Sequence, residues 1–524
     1  MTPAFARPRD DVNPWMIAAT VMLATFMEIL DTSVANVSLP HIAGNLSATV
    51  DEATWVLTSY LVANGIVLPM SGWLSLVFGR KRFYMTCVLL FTISSMLCGL
   101  APSLPLLVFF RVLQGIGGGA LQPISQAILV ESFPREKQGI AQSVYGMGVV
   151  VAPVIGPTLG GWITDNYTWR WIFFINLPVG ILSLLMTYMI VKDPPYLTEI
   201  RKRRTRIDYG GLGFLVLGLA SLELMLDNGQ KEDWFSSRLV VTAAVLALIG
   251  LVGVVLWELR QKDPVVDFRM LKNRSFAIAT GAMFLLGFVL YSSTALLPIY
   301  LQTLMGYSAT LSGKVISPGG IAIIIMMPIV GRLVGKVDPR WLVAFGMAVS
   351  AVGLFQMAGF NLYIDYRTAV IARIVQSIGL AFLFIPINYT AFACIPKEKT
   401  NYATGLVNLA RNIGGSSGIA LATTMLSRRS QFHQQTLVSH LTPLDLPYQA
   451  TLQGLTQSLI QRGADAVGAA TQAQAVLYGI LQRQATMLAF VDVFWLLAVI
   501  FLAVSPLAFL MKKIAPRKGA VMME

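Results

Sequence analysis

Eight ionisable side chains sit inside long apolar stretches of this chain: Glu28, Asp31, Arg111, Glu223, Lys314, Arg373, Arg411 and Asp492. On insertion scales each costs about 2.5–3.5 kcal/mol at the centre of a membrane helix, so such groups are kept where they are paired or used. Glu28 and Asp31 are three residues apart, hence on one face of one helix. Two carboxyls held close together in apolar surroundings suit the uptake and release of protons. The structural alternative is a helix-end pair near water. Arg111 is a permanent cation, either coupled to that pair or tying helices together through backbone carbonyls. Arg373 and Arg411 pose the same question later in the chain. Lys314 and Asp492 lie near the ends of their runs, where snorkelling accounts for them. Glu223 is expected to face the seam of an inserted pair of helices.

Polar and aromatic residues in mid-run form a second set. Asn36, Tyr60, Asn64, Gln122, Gln126 and Tyr145 precede the middle of the chain, and Tyr291, Asn388, Tyr389 and Asn408 follow it. Each either lines a cavity or bonds one helix to another. Other chemistries find little support. The three histidines, His41, His433 and His440, lie outside the apolar runs without zinc-ligand spacing, so no metal is expected. Gly115 to Ala120 fits the G-x-G-x-x-A pattern, but it lies within an apolar run and no strand precedes it. No Walker A sequence is present, and no cofactor is implied. Cys87, Cys98 and Cys394 read as small buried hydrophobes.

The elements that must position these residues follow from composition. Of 524 residues 55% are hydrophobic and 12% charged, whereas soluble domains carry about 25% charged residues. This excludes an ordinary soluble enzyme, a disordered chain and a nucleic-acid binder. Fourteen apolar runs are long enough to cross a bilayer: 15–37, 53–76, 83–101, 106–130, 139–163, 169–191, 208–226, 238–258, 275–301, 312–335, 341–360, 368–393, 402–427 and 487–511. They are continuous rather than alternating, which predicts helices and not a barrel. Alternate connections carry twenty-seven Lys and Arg on one side and eight on the other, with four inside the runs. The basic side is expected to be cytoplasmic, with both termini on it. The net charge of +13 is therefore a matter of topology.

The chain repeats itself. RVLQGIG from Arg111 returns as RIVQSIG from Arg373, and FPREKQ returns as IPKEKT, all at an offset of 262. The matched helices are eight runs apart, so two helices are expected to be inserted between two six-helix halves. The expected division is 1–191 for the first bundle, 192–266 for a basic linker and the inserted pair, and 267–524 for the second bundle. The expected fold is an all-α integral membrane protein of two six-helix bundles in pseudo-two-fold relation.

Several segments resemble the fourteen-helix drug:proton antiporter class of the major facilitator superfamily, the Emr/Qac type. They are LDTSVANVSLP (Leu30–Pro40), GWLSLVFGRKR (Gly72–Arg82), RVLQGIGGG (Arg111–Gly119), GMGVVVAPVIGPTLGG (Gly146–Gly161) and WRWIFFINLPVG (Trp169–Gly180). LDNGQKEDWFSS (Leu226–Ser237) and a Gln-rich outer segment suggest the Emr branch. The resemblance implies proton-driven efflux of hydrophobic or amphipathic compounds, with Asp31 and Arg111 in the coupling machinery and Glu28 beside them. It implies a cytoplasmic loop motif at Gly72, Gly79, Arg80 and Lys81. It also implies an antiporter-motif helix at Gly146, Pro153, Gly156, Pro157, Gly160 and Gly161, forming a seam on which the halves rock. Pro157 leaves one backbone hydrogen bond of that helix unmade. The family's second-to-third loop carries an Asp four residues after its first Gly, and here that position is Leu76.

The outer connection at 428–486 holds eleven Gln between Gln431 and Gln484. Leu452, Leu455 and Leu459, then Ala475, Leu477, Ile480 and Leu481, recur at helical spacing. Two short amphipathic helices outside the membrane are expected, either capping the molecule or docking to a periplasmic adaptor. In the resemblance such an adaptor leads to an outer-membrane channel, which places the chain in a bacterial inner membrane. Two other readings remain: a dedicated exporter of one endogenous metabolite, and a non-transporting receptor or assembly subunit.

Overall fold

A computed structural model describes residues 13–134, 137–193, 208–393, 395–439, 441–442 and 444–511. Residues 194–207 of the basic linker, Cys394 and His440 lie outside them. The described chain is helical, and thirteen of its helices are long and apolar enough to cross a membrane. They are α1 (Pro14–Val37), α2 (Trp55–Phe78), α3 (Arg80–Leu100), α4 (Leu104–Ser132), α5 (Gln138–Asn166) and α6 (Trp171–Ile190), then α7 (Tyr209–Asn228) and α8 (Arg238–Glu258). The second half begins with α9 (Arg274–Thr303), α10 (Ala309–Leu333), α11 (Pro339–Ala358) and α12 (Tyr366–Ala393).

The expected run at 402–427 lies in α13 (Thr400–Val438). This helix packs against α2, α9 and the last helix. It buries Asn401, Asn408 and Arg411, so its polarity is turned to protein rather than lipid. After α14 (Leu446–Gln461), α15 (Ala466–Val504) carries the final span. The outer segment therefore departs from the expectation of two short helices. Only α14 is separate, while α13 and α15 run on through the segment as continuations of spanning helices. No proline interrupts 466–504, and Gly468 and Gly479 are carried within the continuous helix, so the second helix joins its span.

Local sequence sets the helix starts. Asn13, Asp208, Asn273 and Asp465 each accept a backbone N–H of the first turn that follows. Gly79 separates α2 from α3 with φ of 86°, a conformation that glycine adopts without steric cost.

The halves meet where α2 packs on α13 and α5 on α10. Because α4 corresponds to α12 in the repeat, α2 corresponds to α10 and α5 to α13. The two junctions are thus equivalent under the pseudo-two-fold. They close tightly at the basic end. A Cβ on Gly331 would stand 2.8 Å from Gly139 O, and one on Gly72 2.9 Å from Tyr402 N. The inserted α7 and α8 pack on each other, and α7 also lies against both halves. Thr58 Oγ1 of α2 donates to Asp227 at 2.6 Å, and Ser416 Oγ of α13 donates to Glu223 at 3.0 Å. Glu223 thus sits at a seam, that of α7 with the second half.

Helix α5 corrects one expectation. Pro157 has no N–H to offer the Pro153 carbonyl, and Ser33 Oγ of α1 donates to that oxygen instead, at 3.3 Å. Gly156 and Gly160 lie on the same side, where added Cβ atoms would meet Ser33 and Val34. The small-residue stripe is therefore a seam inside the first half, close to Asp31. The residue of the motif that faces the other half is Gly146, packed under Met327 and Phe384. Gly161 has nothing nearer than Val37, 4.0 Å from its added Cβ. Gly156→Val is expected to lower stability by about 1–3 kcal/mol through overpacking, whereas Gly161→Val should be tolerated. Equal melting temperatures for the two purified variants would refute this packing.

Candidate functional site

The polar residues of the first half converge on α1, because a run of glycines in α4 lets α1 and α2 come close. Added Cβ atoms at Gly115 and Gly119 would strike the backbone of α2, and one at Gly118 would stand 2.7 Å from Tyr60 Oη and 3.4 Å from Glu28 Cγ. The G-x-G-x-x-A pattern is thus a seat for polar side chains. Around this seat Glu28 and Asp31, one helical turn apart, enter two different networks.

Asp31 is locked. Its Oδ2 stands 2.5 Å from Arg111 Nη1, and both side chains are almost wholly inaccessible. Its Oδ1 accepts from Gln114 Nε2 at 2.9 Å and from Asn176 Nδ2 at 2.7 Å. Arg111 also donates from Nε to Val56 O at 2.9 Å, and its guanidinium lies 4.2 Å from the Tyr60 ring. Asn176 donates further to Ser95 Oγ at 2.9 Å. Every one of these partners belongs to the first half.

Glu28 points towards the junction. Its Oε1 accepts from Asn64 Nδ2 at 3.0 Å and from Tyr60 Oη at 3.1 Å, and its Oε2 accepts from Gln122 Nε2 at 2.6 Å. The Gln122 side-chain carbonyl in turn accepts from Arg411 Nη2 of the second half. Gln126, one turn along α4, donates to Asn388 Oδ1 at 2.9 Å and accepts from Asn408 Nδ2 at 2.7 Å. Tyr145 Oη donates to Gln122 O at 3.3 Å, and its ring stacks near Phe384. The centre of the molecule is thus a chain of neutral amides with a carboxylate at one end and a guanidinium at the other.

These positions sort the sequence candidates. Glu28, Asp31, Arg111, Tyr60, Asn64, Gln122, Gln126, Tyr145, Asn388, Asn408 and Arg411 are brought together. Asn36 is exposed, and Tyr291 and Tyr389 are half-buried packing residues outside the networks. Arg373 is buried in its own half, apart from both networks. Asp492 is not a snorkelling residue, since Arg429 Nε and His433 Nε2 approach it at 2.5 and 2.7 Å. Gln114, Asn176 and Ser95 were missed as site residues, although Gln114 and Asn176 stand within quoted motif segments. A cavity of about 310 Å³, lined by residues such as Tyr448 and Leu477, lies in the outer extension and contains no member of the networks.

Comparison with known proteins agrees with this architecture. The family model described as Major Facilitator Superfamily matches residues 21–419. This chain belongs to that superfamily. It is 36% identical over 512 residues to "Multidrug export protein EmrB" of Escherichia coli (strain K12), covering 97% of each chain. It is 36% identical over 500 residues to "Fatty acid resistance protein FarB" of Neisseria gonorrhoeae, covering 95% of this chain and 96% of that one. Among solved structures, the human organic anion transporter MFSD10 shares the fold with a TM-score of 0.58 at 12% identity, over 93% of this chain and 99% of that chain. The chain is thus a multi-pass membrane protein on a facilitator-superfamily scaffold.

The facilitator loop motif is built differently from the superfamily pattern. Arg80 forms a bidentate pair with Glu131 of α4, both contacts at 2.8 Å. The Lys81 N–H donates to Asp193 at 2.8 Å and its Nζ to Tyr188 O at 2.6 Å. These contacts clamp the α2–α3 turn to α4 and to the end of α6. Leu76, in the place of the family's Asp, is buried. The link to the other half runs instead from Asn401 Nδ2 to Ser75 Oγ at 2.9 Å.

The locked pair makes a stability prediction. Asp31→Asn leaves Arg111 charged and buried without a counter-ion, a change that costs about 3–5 kcal/mol. Asp31→Asn with Arg111→Gln should recover much of that loss. Melting of the four purified proteins in detergent checks it, and strictly additive effects would sink the pairing.

Proposed function

We propose that this protein exports hydrophobic and amphipathic compounds, drugs and toxic molecules among them, across the bacterial inner membrane in exchange for protons. The observation that carries the reading is the Glu28–Gln122–Arg411 chain across the junction of the halves. The names of the EmrB and FarB relatives support export of such compounds.

Glu28 is the proton carrier in this reading, and Asp31 is a fixed anion that orients its neighbours. The Asp31 charge is already matched by Arg111. The Glu28 charge is met by three neutral donors and by a cation one amide away. While ionised, Glu28 accepts from Gln122 and so holds the Gln122 carbonyl towards Arg411. A proton on Oε2 turns an acceptor into a donor and opposes the Gln122 N–H. The amide is then released, and with it the central tie between the halves. Loss of the proton on the other side of the membrane remakes the tie, giving alternating access. One proton entering gains about 2.3 kcal/mol per 100 mV and about 1.4 kcal/mol per pH unit. Together these sustain roughly a 500-fold gradient of a neutral substrate, at about 1.4 kcal/mol per decade.

The basic end, with the 77–82 and 131–138 connections, faces the cytoplasm in this reading, as do both termini. The opposite end carries the continuations of α13 and α15 with α14 between them. That extension docks a periplasmic adaptor, which passes substrate to an outer-membrane channel.

Two measurements test these roles. In proteoliposomes with an imposed pH gradient and an amphipathic fluorescent cation as substrate, Glu28→Gln should still exchange substrate but no longer accumulate it. Accumulation by this variant at the wild-type level would remove Glu28 from the coupling. Replacing 446–461 by a short flexible linker should abolish capture of the adaptor while leaving vesicle transport intact. Undiminished capture would leave α14 as a cap.

A further inference from the structure

The repeat places two buried guanidiniums in equivalent positions, and among the described residues only Arg111 has a counter-ion. Arg111 donates to Gln114 Oε1 at 2.9 Å, and Arg373 donates to Gln376 Oε1 at 2.8 Å. In the first half Gln114 Nε2 and Arg111 Nη1 then converge on the Asp31 carboxylate. Counting the same offset from Asp31 reaches Ser293, beside Thr294, the α9 residue that Arg373 Nη2 meets. The Ser293 hydroxyl turns back to its own helix and donates to Leu290 O at 3.2 Å.

The second-half cluster is left as a set of donors. Arg373 Nε, Gln376 Nε2 and Ser377 Oγ are buried and have no hydrogen-bond partner among the described residues. Arg373 is 3% exposed and Gln376 is fully buried. Arg373 Nη2 meets Thr294 Oγ1 at 3.1 Å, and no described carboxylate forms an ion pair with it. Gly319 of α10 covers the cluster without a side chain, since an added Cβ would stand 2.6 Å from Ser377 Oγ and 2.9 Å from Arg373 Cγ. Thr294 is half-buried and forms its edge.

An unpaired cation in an apolar bundle is costly unless an anion accompanies it. A guanidinium, an amide N–H and a hydroxyl together form a donor set that recognises one. We propose that Arg373, Gln376, Ser377 and Thr294 bind a small monovalent anion, a carboxylate or a halide, in the place that Asp31 fills in the first half. Binding there requires no transport and is read on the purified chain, so its outcome is separate from that of the export reading.

The test is thermal melting of the full chain in detergent, followed by tryptophan fluorescence at constant ionic strength. The bulky sulfonate anion of the buffer is replaced stepwise by chloride in one arm and by acetate in the other. The wild type should show a saturable rise in melting temperature. A rise with chloride alone identifies an inorganic anion, and one with acetate identifies recognition of acidic solutes. Arg373→Gln should move the midpoint by about tenfold or more, the loss of one charge-assisted contact. Ser293→Asp supplies the acid of the first half, so it should melt higher without added anion and lose the response. It also decides the matter if Arg373→Gln does not fold. Absence of a saturable rise in the wild type, or an unchanged midpoint in the variants that fold, would overturn the assignment.

Discussion

A charge placed inside a bundle of apolar helices must be met by donors or by an opposite charge, and this molecule is organised around how each of its charges is met. Asp31 receives a guanidinium and two amides, all from helices of its own half. This ties α1, α4 and α6 together. Glu28, one turn away, receives only neutral groups, and the last of them reaches across to the other half. Two carboxyls one turn apart on the same helix thereby enter different surroundings, one paired with a buried cation and one met only by neutral donors. The glycines of α4 are a steric condition of the seat, since a side chain at Gly118 would displace the Tyr60 hydroxyl that bonds Glu28.

Much of this was legible in the sequence. Fourteen apolar runs, the alternation of basic loops and the repeat at offset 262 fix the helices and their pairing, because hydropathy and charge act locally along the chain. The coincidence of Glu28, Asp31 and Arg111 in apolar runs pointed to the site. What sequence could not give was the division of labour between the two carboxyls. Spacing on one helix places both on one face, but the partners come from residues up to 145 positions away, as with Asn176. The outer segment failed for a different reason. Its amphipathic pattern was read correctly as helix, but nothing in a periodicity tells whether a helix ends or runs on into the next span.

The two-fold relation between the halves is kept in the backbone and abandoned in the chemistry. The Arg–Gln pair recurs with nearly the same internal geometry, while the second guanidinium meets the Thr294 hydroxyl and no described carboxylate. The first half therefore carries the fixed ion pair and the acid at the junction, and the second half presents guanidiniums. An electrical asymmetry of this kind gives the central interface a polarity.

Helix α7 and the turn that follows it hold both bundles through a few hydrogen bonds, Thr58 to Asp227 and Lys231 to Thr54 on one side, Ser416 to Glu223 and Trp234 to Thr424 on the other. A hydrogen bond stretched beyond about 3.5 Å is no longer one. Separating α2 from α13 at this level by even a few ångström therefore obliges α7 to let go of one bundle and ride with the other. Each release costs about 1 kcal/mol, small enough for thermal motion yet sufficient to bias which bundle α7 follows. In the proposed export cycle the two additional helices act as a latch on the separation of the halves.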